Sequence, residues 1–343
     1  MALNNIIQTI IRKSNGDITN FYVQDSSLFY RNFISNKGWD LPNELIPNTS
    51  HNQLDIKIDE QDKIYGIVHT QNGNVMYLHT KKSNILYEKL FEYNTDKYIL
   101  KYPFILKLNS NIHIFYYLQN LKKRKFWGIM HHFFDGNKWI VNKVTVISSY
   151  PIINPFQITY NSSYMYIFYL HISDNKEEIF LSKFNVQNKS WNEPIQITET
   201  KNNKLYLNVL DSKNKYHISW CENIDDNYIV QYTNIDYDKD ISAPSNITPL
   251  SEPSNCTLPT FIQAGKALWS IWVQMNKLYN CYSLDNGNIW SNPEADEKSI
   301  GSKFIRYKFS SNCPNDIKDF KLNNSFGTYY PRISFLGFKN IKS

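Results

Sequence analysis

One short stretch, Ile112-His-Ile-Phe-Tyr-Tyr117, decides the fold, because strands of the same kind recur along the chain. Each is dense in aromatic and β-branched residues and follows a small turn. The equivalent stretches are Ile18–Val23, Ile64–His69, Met165–Leu170, Tyr216–Cys221 and Leu268–Val273. Together with Ile112–Tyr117 there are six such stretches, and their first residues lie 46, 48, 53, 51 and 52 positions apart. A period of about 50 residues is typical of a repeat protein.

These strands are apolar at successive positions and not only at alternate ones. In the stretch 112–117, Ile114 and Tyr116 point to one face of a sheet, while Phe115 and Tyr117 point to the other. A half-exposed sheet would alternate apolar with polar residues, so both faces must be covered. Helices are poor candidates for that cover, since Ala, the strongest helix former, occurs only 5 times in 343 residues. The pattern predicts an all-β fold of four-stranded antiparallel sheets that cover one another, a β-propeller.

Two further phrases complete each period and bring it to about four strands. A tryptophan follows the recurring strand at Trp39, Trp139, Trp191 and Trp290, and a Pro-containing phrase such as Tyr102-Pro-Phe-Ile-Leu106 precedes it. Six periods are visible over residues 1–297. Residues 298–343 predict either a degenerate seventh blade, which the chain length favours, or an arm that closes six blades. We expect residues 1–343 to form a single propeller domain.

Composition and charge exclude several classes of function. The formal net charge of +6 is spread as single lysines, apart from Lys122-Lys123-Arg124-Lys125, which indicates a solvated surface and no nucleic-acid partner. No apolar run is long enough for membrane insertion, and Met1-Ala-Leu-Asn-Asn5 lacks the regions of a secretory signal. We therefore expect a protein that is cytoplasmic or released without a classical signal peptide.

Cysteine and histidine spacing gives no metal or cofactor pattern. The four cysteines lie far apart without a C-x-x-C pair, and we expect Cys221 and Cys281, within apolar strands, to be buried thiols. His113 and His217 stand where other repeats have Tyr or Trp. We expect them to pack as core residues of aromatic size, and we expect neither a metal nor a cofactor.

One turn matches a known motif. Ser283-Leu-Asp285-Asn-Gly287-Asn-Ile-Trp290 fits the pattern S-x-D-x-G-x-x-W, and Asp135-Gly-Asn-Lys-Trp139 is a degenerate copy. The sequence therefore resembles the Asp-box (BNR-repeat) propellers, which include sialidases, other glycosidases and lectin-like sugar-binding propellers. In that family the motif is structural: Ser and Asp bond turn amides, Gly takes a positive φ, and Trp fills the space between strands. The resemblance implies structural roles for Ser283, Asp285, Gly287 and Trp290.

The resemblance does not extend to the sialidase reaction centre. That family has three arginines that clamp a carboxylate, the first in an early Phe/Tyr-Arg-Ile-Pro phrase. Here Arg12 and Arg31 are early but stand in other contexts, and Tyr330-Pro-Arg332-Ile-Ser scrambles the phrase near the C-terminus. Lysine does not replace the bidentate arginine fork. We expect no catalytic residues of the sialidase type.

Topology predicts where a ligand would bind. In a propeller, the loops between the second and third strands and the loops between blades share one face. On that face we select Arg124, Trp127, Tyr150 and Glu222 as candidate ligand-binding residues, since aromatic groups beside polar groups stack on sugars or anchor protein partners. Trp127 has an equally good alternative role, which is to pack on the edge of its own blade.

Three functions stay open. The leading hypothesis is a non-catalytic propeller that binds carbohydrate or a protein partner through this loop face. The second is a diverged Asp-box glycoside hydrolase, which requires two carboxylates about 5 to 10 Å apart near the mouth of the channel. The third is a structural or assembly role in a coat or particle. The sequence leaves the ligand and the oligomeric state open.

Overall fold

The computed structural model describes residues 7–108, 111–150, 152–200, 202–237 and 246–339. Met1–Asn5, on which the signal-peptide expectation depends, lie outside the described residues. About 63% of the structure is strand and 3% is helix, which confirms the all-β prediction. The chain forms two compact units, one from residues 1–146 with 305–318 and one from residues 147–304 with 319–343.

The first unit contains three antiparallel sheets formed from consecutive strands. Sheet 1 consists of β1 (Ile7–Arg12), β2 (Ile18–Gln24), β3 (Ser27–Ile34), β4 (Gly38–Trp39) and β5 (Asn43–Pro47), the last two both pairing with β3. Sheet 2 consists of β6 (Thr49–Ile58), β7 (Ile64–Thr70), β8 (Asn74–Lys81) and β9 (Asn84–Glu92). Sheet 3 consists of β10 (Tyr98–Leu108), β11 (Asn111–Asn120), β12 (Phe126–Phe134) and β13 (Trp139–Ser148).

The second unit repeats this arrangement. Sheet 4 consists of β14 (Gln157–Tyr160), β15 (Tyr164–Ser173), β16 (Lys176–Asn185), β17 (Ser190–Trp191) and β18 (Ile195–Gln196). Sheet 5 consists of β19 (Lys204–Ser212), β20 (Lys215–Ile224), β21 (Asn227–Asp236) and β22 (Thr248–Pro249). Sheet 6 consists of β23 (Thr257–Ala264), β24 (Ala267–Gln274), β25 (Lys277–Ser283) and β26 (Glu294–Ala295), followed by a 3-10 turn at Glu297–Ser299.

The C-terminal residues extend sheets that are already formed. β27 (Phe304–Ser311) pairs in parallel with β1, and a short helix α1 (Pro314–Asp319) follows it. β28 (Phe320–Lys321) pairs with β23, and β29 (Asn324–Thr328) forms a hairpin with β30 (Phe335–Leu336). The described residues thus contain six sheets. The chain length favoured a seventh sheet. The described residues do not form one, because β27 pairs with β1 and β28 pairs with β23.

The central strands are buried on both faces, as their sequences predict. Every residue of β7 is buried, and so are seven of the eight residues of β24. Cys221 and Cys281 are buried free thiols, and His113 and His217 are completely buried. The His113 ring stacks on Phe133 with ring centroids 5.6 Å apart, so it packs like the aromatic residues of other repeats.

The Pro-containing phrase forms a bulged first strand. Tyr102, Tyr206 and Leu258 have positive φ angles of 53°, 59° and 56°, and the pairing register of β10, β19 and β23 shifts at these points. Near two of the bulges, the backbone N–H three residues after the bulge donates to a buried side-chain oxygen on the first strand of the preceding sheet. Ile105 donates to Asp55 at 3.0 Å, and Phe261 donates to Asn208 at 2.9 Å. At the third bulge, the N–H of Tyr206 itself donates to Asn154, in the segment before β14, at 2.9 Å. The first two bonds therefore join neighbouring sheets at equivalent positions.

No helix among the described residues has the length and apolar character needed to cross a membrane.

Candidate functional site

Two of the four candidate ligand-binding residues, Arg124 and Trp127, lie in the first unit. Trp127 is only 5% exposed, its ring meets Tyr117 edge to face at 6.2 Å, and the Lys101 ammonium lies 5.5 Å from its ring centroid. Trp127 therefore packs on its own sheet, which is the alternative role that the sequence allowed. A ring this buried offers no surface on which a ligand could stack. Arg124 lies exposed in the loop between β11 and β12, where its backbone carbonyl accepts a hydrogen bond from Gln119 at 2.7 Å.

The other two, Tyr150 and Glu222, lie in the second unit beside one polar cleft. The Tyr150 hydroxyl donates to the backbone carbonyl of Asn175 at 2.7 Å. Glu222 is 3% exposed and accepts hydrogen bonds from Trp220 Nε1 at 2.8 Å and from Asn202 Nδ2 at 3.0 Å. Tyr150 is thus hydrogen-bonded to the residue before Lys176, and Glu222 is hydrogen-bonded to Asn202. Both Lys176 and Asn202 line the cleft.

The polar cleft has a volume of about 310 Å³. It is formed by the turn before β16, the segment before β19 and the turn between β20 and β21, which belong to the loop sets that the topology predicted. Its lining is Lys176, Asn202, Asn203, Asn223, Asp225 and Asp226. Three amides, two carboxylates and one ammonium offer both donors and acceptors of hydrogen bonds. Such a surface suits a ligand rich in hydroxyl groups.

The walls of the polar cleft are held by tight backbone geometry. Asp225 and Asp226 have φ angles of 47° and 62°, as in a two-residue hairpin turn of the primed type. The Asn203 carbonyl accepts from the Asn223 N–H at 2.9 Å and so joins two walls. The side-chain Oδ1 of Asn203 is buried and has no hydrogen-bond partner among the described residues. A buried acceptor without a partner is costly, and the burial of this oxygen keeps it out of direct contact with a ligand in the cleft.

A buried lysine fixes the segment that carries Asn202 and Asn203. Lys204 is completely buried, and its ammonium lies 2.8 Å from Glu178 Oε2. The same ammonium donates to Thr200 Oγ1 at 2.6 Å and to the backbone carbonyls of Glu177 and Asn202 at 2.9 and 3.1 Å. Glu178 in turn accepts from the Thr200 N–H at 3.0 Å. Since every bond of the ammonium ends on the chain around the polar cleft, Lys204 determines the shape of that wall.

Three glutamates with buried side chains, Glu177, Glu178 and Glu222, lie on the strands around Lys204. Each is 3% exposed, and Glu222 is the residue paired with Lys204 between β20 and β19. Burial raises the pKa of Glu177 to about 7, although the nearby Lys204 charge opposes the increase. Glu177 is therefore partly protonated at neutral pH.

The charged residues of sheet 5, Lys204 and Glu222, are replaced by neutral ones in sheet 6. In sheet 6 the equivalents of Trp220 and Glu222 are Trp272 and Gln274, whose indole N–H and amide oxygen are 3.2 Å apart. The register places Cys256 where sheet 5 has Lys204. Sequence reasoning missed Lys204 and Glu178, although aligning the repeats 52 residues apart would have shown charged residues at positions that are neutral in the next repeat.

The turn at Ser283–Trp290 is held by bonds of its own side chains. Ser283 Oγ accepts from the Gly287 N–H at 2.8 Å, and Asp285 Oδ1 accepts from the Ile289 N–H at 2.9 Å. Gly287 has a φ of 89°, and the Trp290 ring meets Tyr232 of sheet 5 with centroids 4.9 Å apart. Trp290 therefore packs the turn against sheet 5, and none of the four residues Ser283, Asp285, Gly287 and Trp290 lines the polar cleft.

No protein-family model matches the sequence, and no curated protein sequence is similar to it. The structure is similar to that of a polysaccharide lyase, the PL25 ulvan lyase, with a TM-score of 0.67, 10% identity, and coverage of 98% of this chain and 94% of that one. It is also similar to the α-L-arabinofuranosidase Arb93A from Fusarium graminearum in complex with an iminosugar inhibitor. There the TM-score is 0.51 at 10% identity, over 81% of this chain and 94% of that one. At such identities these similarities show a shared fold.

Proposed function

We propose that this protein binds carbohydrate in the polar cleft. The observation that carries the proposal is the lining of the cleft, in which three amides, two carboxylates and one ammonium stand together. Sugar hydroxyls both donate and accept, so they match a mixed lining of this kind. A volume of about 310 Å³ is the size of a small-ligand site, which favours a sugar over a protein surface.

The fold supports the choice of ligand class. We propose that the six sheets are the blades of one propeller of the Asp-box type, with β27 as the C-terminal arm. The polar cleft would then lie on the face that carries the loops between second and third strands. The two proteins of similar fold are named as a polysaccharide lyase and an arabinofuranosidase, and both names denote enzymes that act on carbohydrate. Fold alone does not carry function, so the lining of the cleft remains the main argument.

A glycan array probed with the full chain tests this proposal. We expect Lys176→Ala and Asn203→Ala each to weaken binding of the retained glycan about tenfold, the effect of losing one good hydrogen bond. Lys277→Ala is the matched control, because Lys277 begins the third strand of sheet 6 as Lys176 begins that of sheet 4. An array on which no glycan is retained, or equal losses for all three variants, would contradict the proposal.

A further inference from the structure

A second cavity lies between sheets 2 and 3 of the first unit. It has a volume of about 430 Å³ and lies between the end of β9 and strands β10 to β13. Trp139 and Val141 are 40% and 55% exposed and stand in its lining, so the cavity is open to solvent. We call it the aromatic cavity, because most of the rest of its lining is aromatic or aliphatic.

The aromatic cavity contains one polar pair. The Tyr116 hydroxyl lies 2.6 Å from His132 Nε2, and the Phe91 ring stacks on His132 with centroids 5.2 Å apart and planes inclined at 14°. Burial lowers the pKa of His132 to about 4, so the imidazole is neutral at pH 7. The only charged residue in the lining is Glu92, which is ion-paired with Lys89 at 2.8 Å on the exposed surface. The cavity thus offers hydrogen bonding without a free charge.

Comparison of repeats shows why the space is open. The positions of Tyr116 and Leu118 are occupied by Trp220 and Glu222 in sheet 5, where the two side chains are hydrogen-bonded. In sheet 6 they are occupied by Trp and Gln, at 272 and 274, again hydrogen-bonded. Leu118 is paired with Leu100, which stands at the position of Lys204. Sheet 3 therefore has a tyrosine and a leucine where sheets 5 and 6 have a tryptophan and a longer polar side chain.

An open cavity of this size leaves apolar side chains facing water, which the hydrophobic effect disfavours. In sheets 5 and 6 a tryptophan and a long polar side chain stand at the positions of Tyr116 and Leu118 and are hydrogen-bonded to each other. Aromatic walls with a single hydrogen-bonding pair are the usual composition of a small-molecule site.

We infer that the aromatic cavity binds an uncharged, largely apolar ring compound that carries one hydroxyl group. The rings of Phe91 and Trp139 and the side chain of Leu100 provide the apolar contacts. The Tyr116–His132 pair provides the hydrogen bond for the hydroxyl. This site is separate in function from the polar cleft, since it belongs to the other unit and its lining is apolar.

Calorimetric titration of the full chain with 2-naphthol tests the inference. We expect saturable binding with one site per chain, and binding of 2-naphthalenesulfonate, which has the same rings but a negative charge, at least tenfold weaker. The double variant Tyr116→Trp/Leu118→Gln installs the residues of sheet 6 and should weaken 2-naphthol binding at least tenfold. Leu86→Trp is the control, because Leu86 is an exposed residue of β9 outside the cavity lining.

The results of these titrations distinguish a binding site from an empty cavity. Equal affinity of the double variant and the wild-type chain, equal affinity for the sulfonate, or no saturable binding would overturn the inference. Circular dichroism identifies a double variant that fails to fold, and Leu100→Phe, which fills the cavity from the opposite strand, then replaces it with the same expected loss. Glycan binding in the polar cleft should be unchanged in either variant, so this inference and the proposed function fail independently.

Discussion

At the scale of the residue, the pKa of Glu177 predicts how the stability of the fold depends on pH. Its pKa is about 7 in the folded chain, against an ordinary value of 4.5, because burial disfavours the carboxylate. The folded state therefore holds the proton more tightly than the unfolded state. The stabilising contribution is complete below pH 4.5 and is lost as pH rises to 7, and a shift of this size corresponds to about 3 kcal/mol.

We expect Glu177→Gln to leave the free energy of unfolding unchanged at pH 4.5 and to increase it at pH 8 by on the order of 2 kcal/mol. Urea unfolding at the two pH values measures the difference. Glu178→Gln is the control, since it removes the ion pair of the buried Lys204 and should cost about 3 kcal/mol at pH 8. A loss of stability in Glu177→Gln at pH 8 would contradict the pKa assignment.

Single residues also mark the limit of what the sequence predicts about the site. Glu222 was selected because the topology places its loop on the expected face, and it does hold a residue of the polar cleft. Lys204 was missed because a lysine at the start of a strand normally faces solvent. Its burial depends on Glu178, which is 26 positions earlier in another sheet, and on the carbonyl groups of the segment before β19. Only the folded chain brings these groups together.

At the scale of the element, a comparison of two glycines shows how tightly the Ser283–Trp290 turn is packed. Gly287 and Gly136 both have positive φ angles, of 89° and 95°. A Cβ on Gly287 would collide with the Tyr232 hydroxyl and approach its Cζ to 2.8 Å, whereas a Cβ on Gly136 meets nothing within 4 Å. The first turn is therefore packed against sheet 5, and the second, from the degenerate copy of the motif, is free of such contact.

We expect Gly136→Ala to cost about 1 kcal/mol, the cost of backbone strain alone. Gly287→Ala should cost about 3 kcal/mol or more, because overpacking against Tyr232 adds to the same strain. Thermal unfolding of both variants and the wild-type chain measures the difference. Equal losses would mean that the turn does not depend on its contact with sheet 5.

The turns show how well element geometry follows from composition. The sequence is poor in Gly and rich in Asn, and Asn tolerates left-handed turn geometry better than most residues. Asn175, Asn214 and Asn276 hold such positions, each in a two-residue turn where the preceding residue also has a positive φ. The bulge at Tyr102, Tyr206 and Leu258 was not predicted, because aromatic and aliphatic residues rarely adopt such angles and only the inter-sheet hydrogen bonds stabilise them there.

At the scale of the whole molecule, the repeat period predicted antiparallel sheets, and its six visible periods match the six sheets of the described residues. Strands apolar on both sides require cover, and six sheets with buried central strands are present in the described residues. Chain length favoured a seventh sheet, because length alone does not show which strands pair with each other. β27 pairs in parallel with β1, which is about 300 residues earlier, and no local pattern in Phe304–Ser311 specifies that partner.

The two units should respond differently to acid. Burial lowers the pKa of His69, His113 and His132 in the first unit to about 4, from an ordinary value of 6.5. A histidine with a lowered pKa stabilises the fold above pH 6.5, and that contribution is lost as pH falls to 4. In the second unit burial also lowers the pKa of His171 and His217, but Glu177 gains stability over much of the same range and offsets part of the loss. Acid should therefore weaken the first unit more.

Hydrogen exchange measured by mass spectrometry at pH 7.5 and pH 5 tests this difference. After correction for the intrinsic effect of pH, we expect protection of β11 and β12 to fall by at least tenfold, while β20 and β21 change little. The equal shifts of His113 and His217 make these strands a matched comparison, because the net effect then depends on the additional histidines of one unit and the carboxyl group of the other. Greater loss of protection in the second unit would show that the buried imidazoles do not control acid stability, since their number and their pKa values both favour loss in the first.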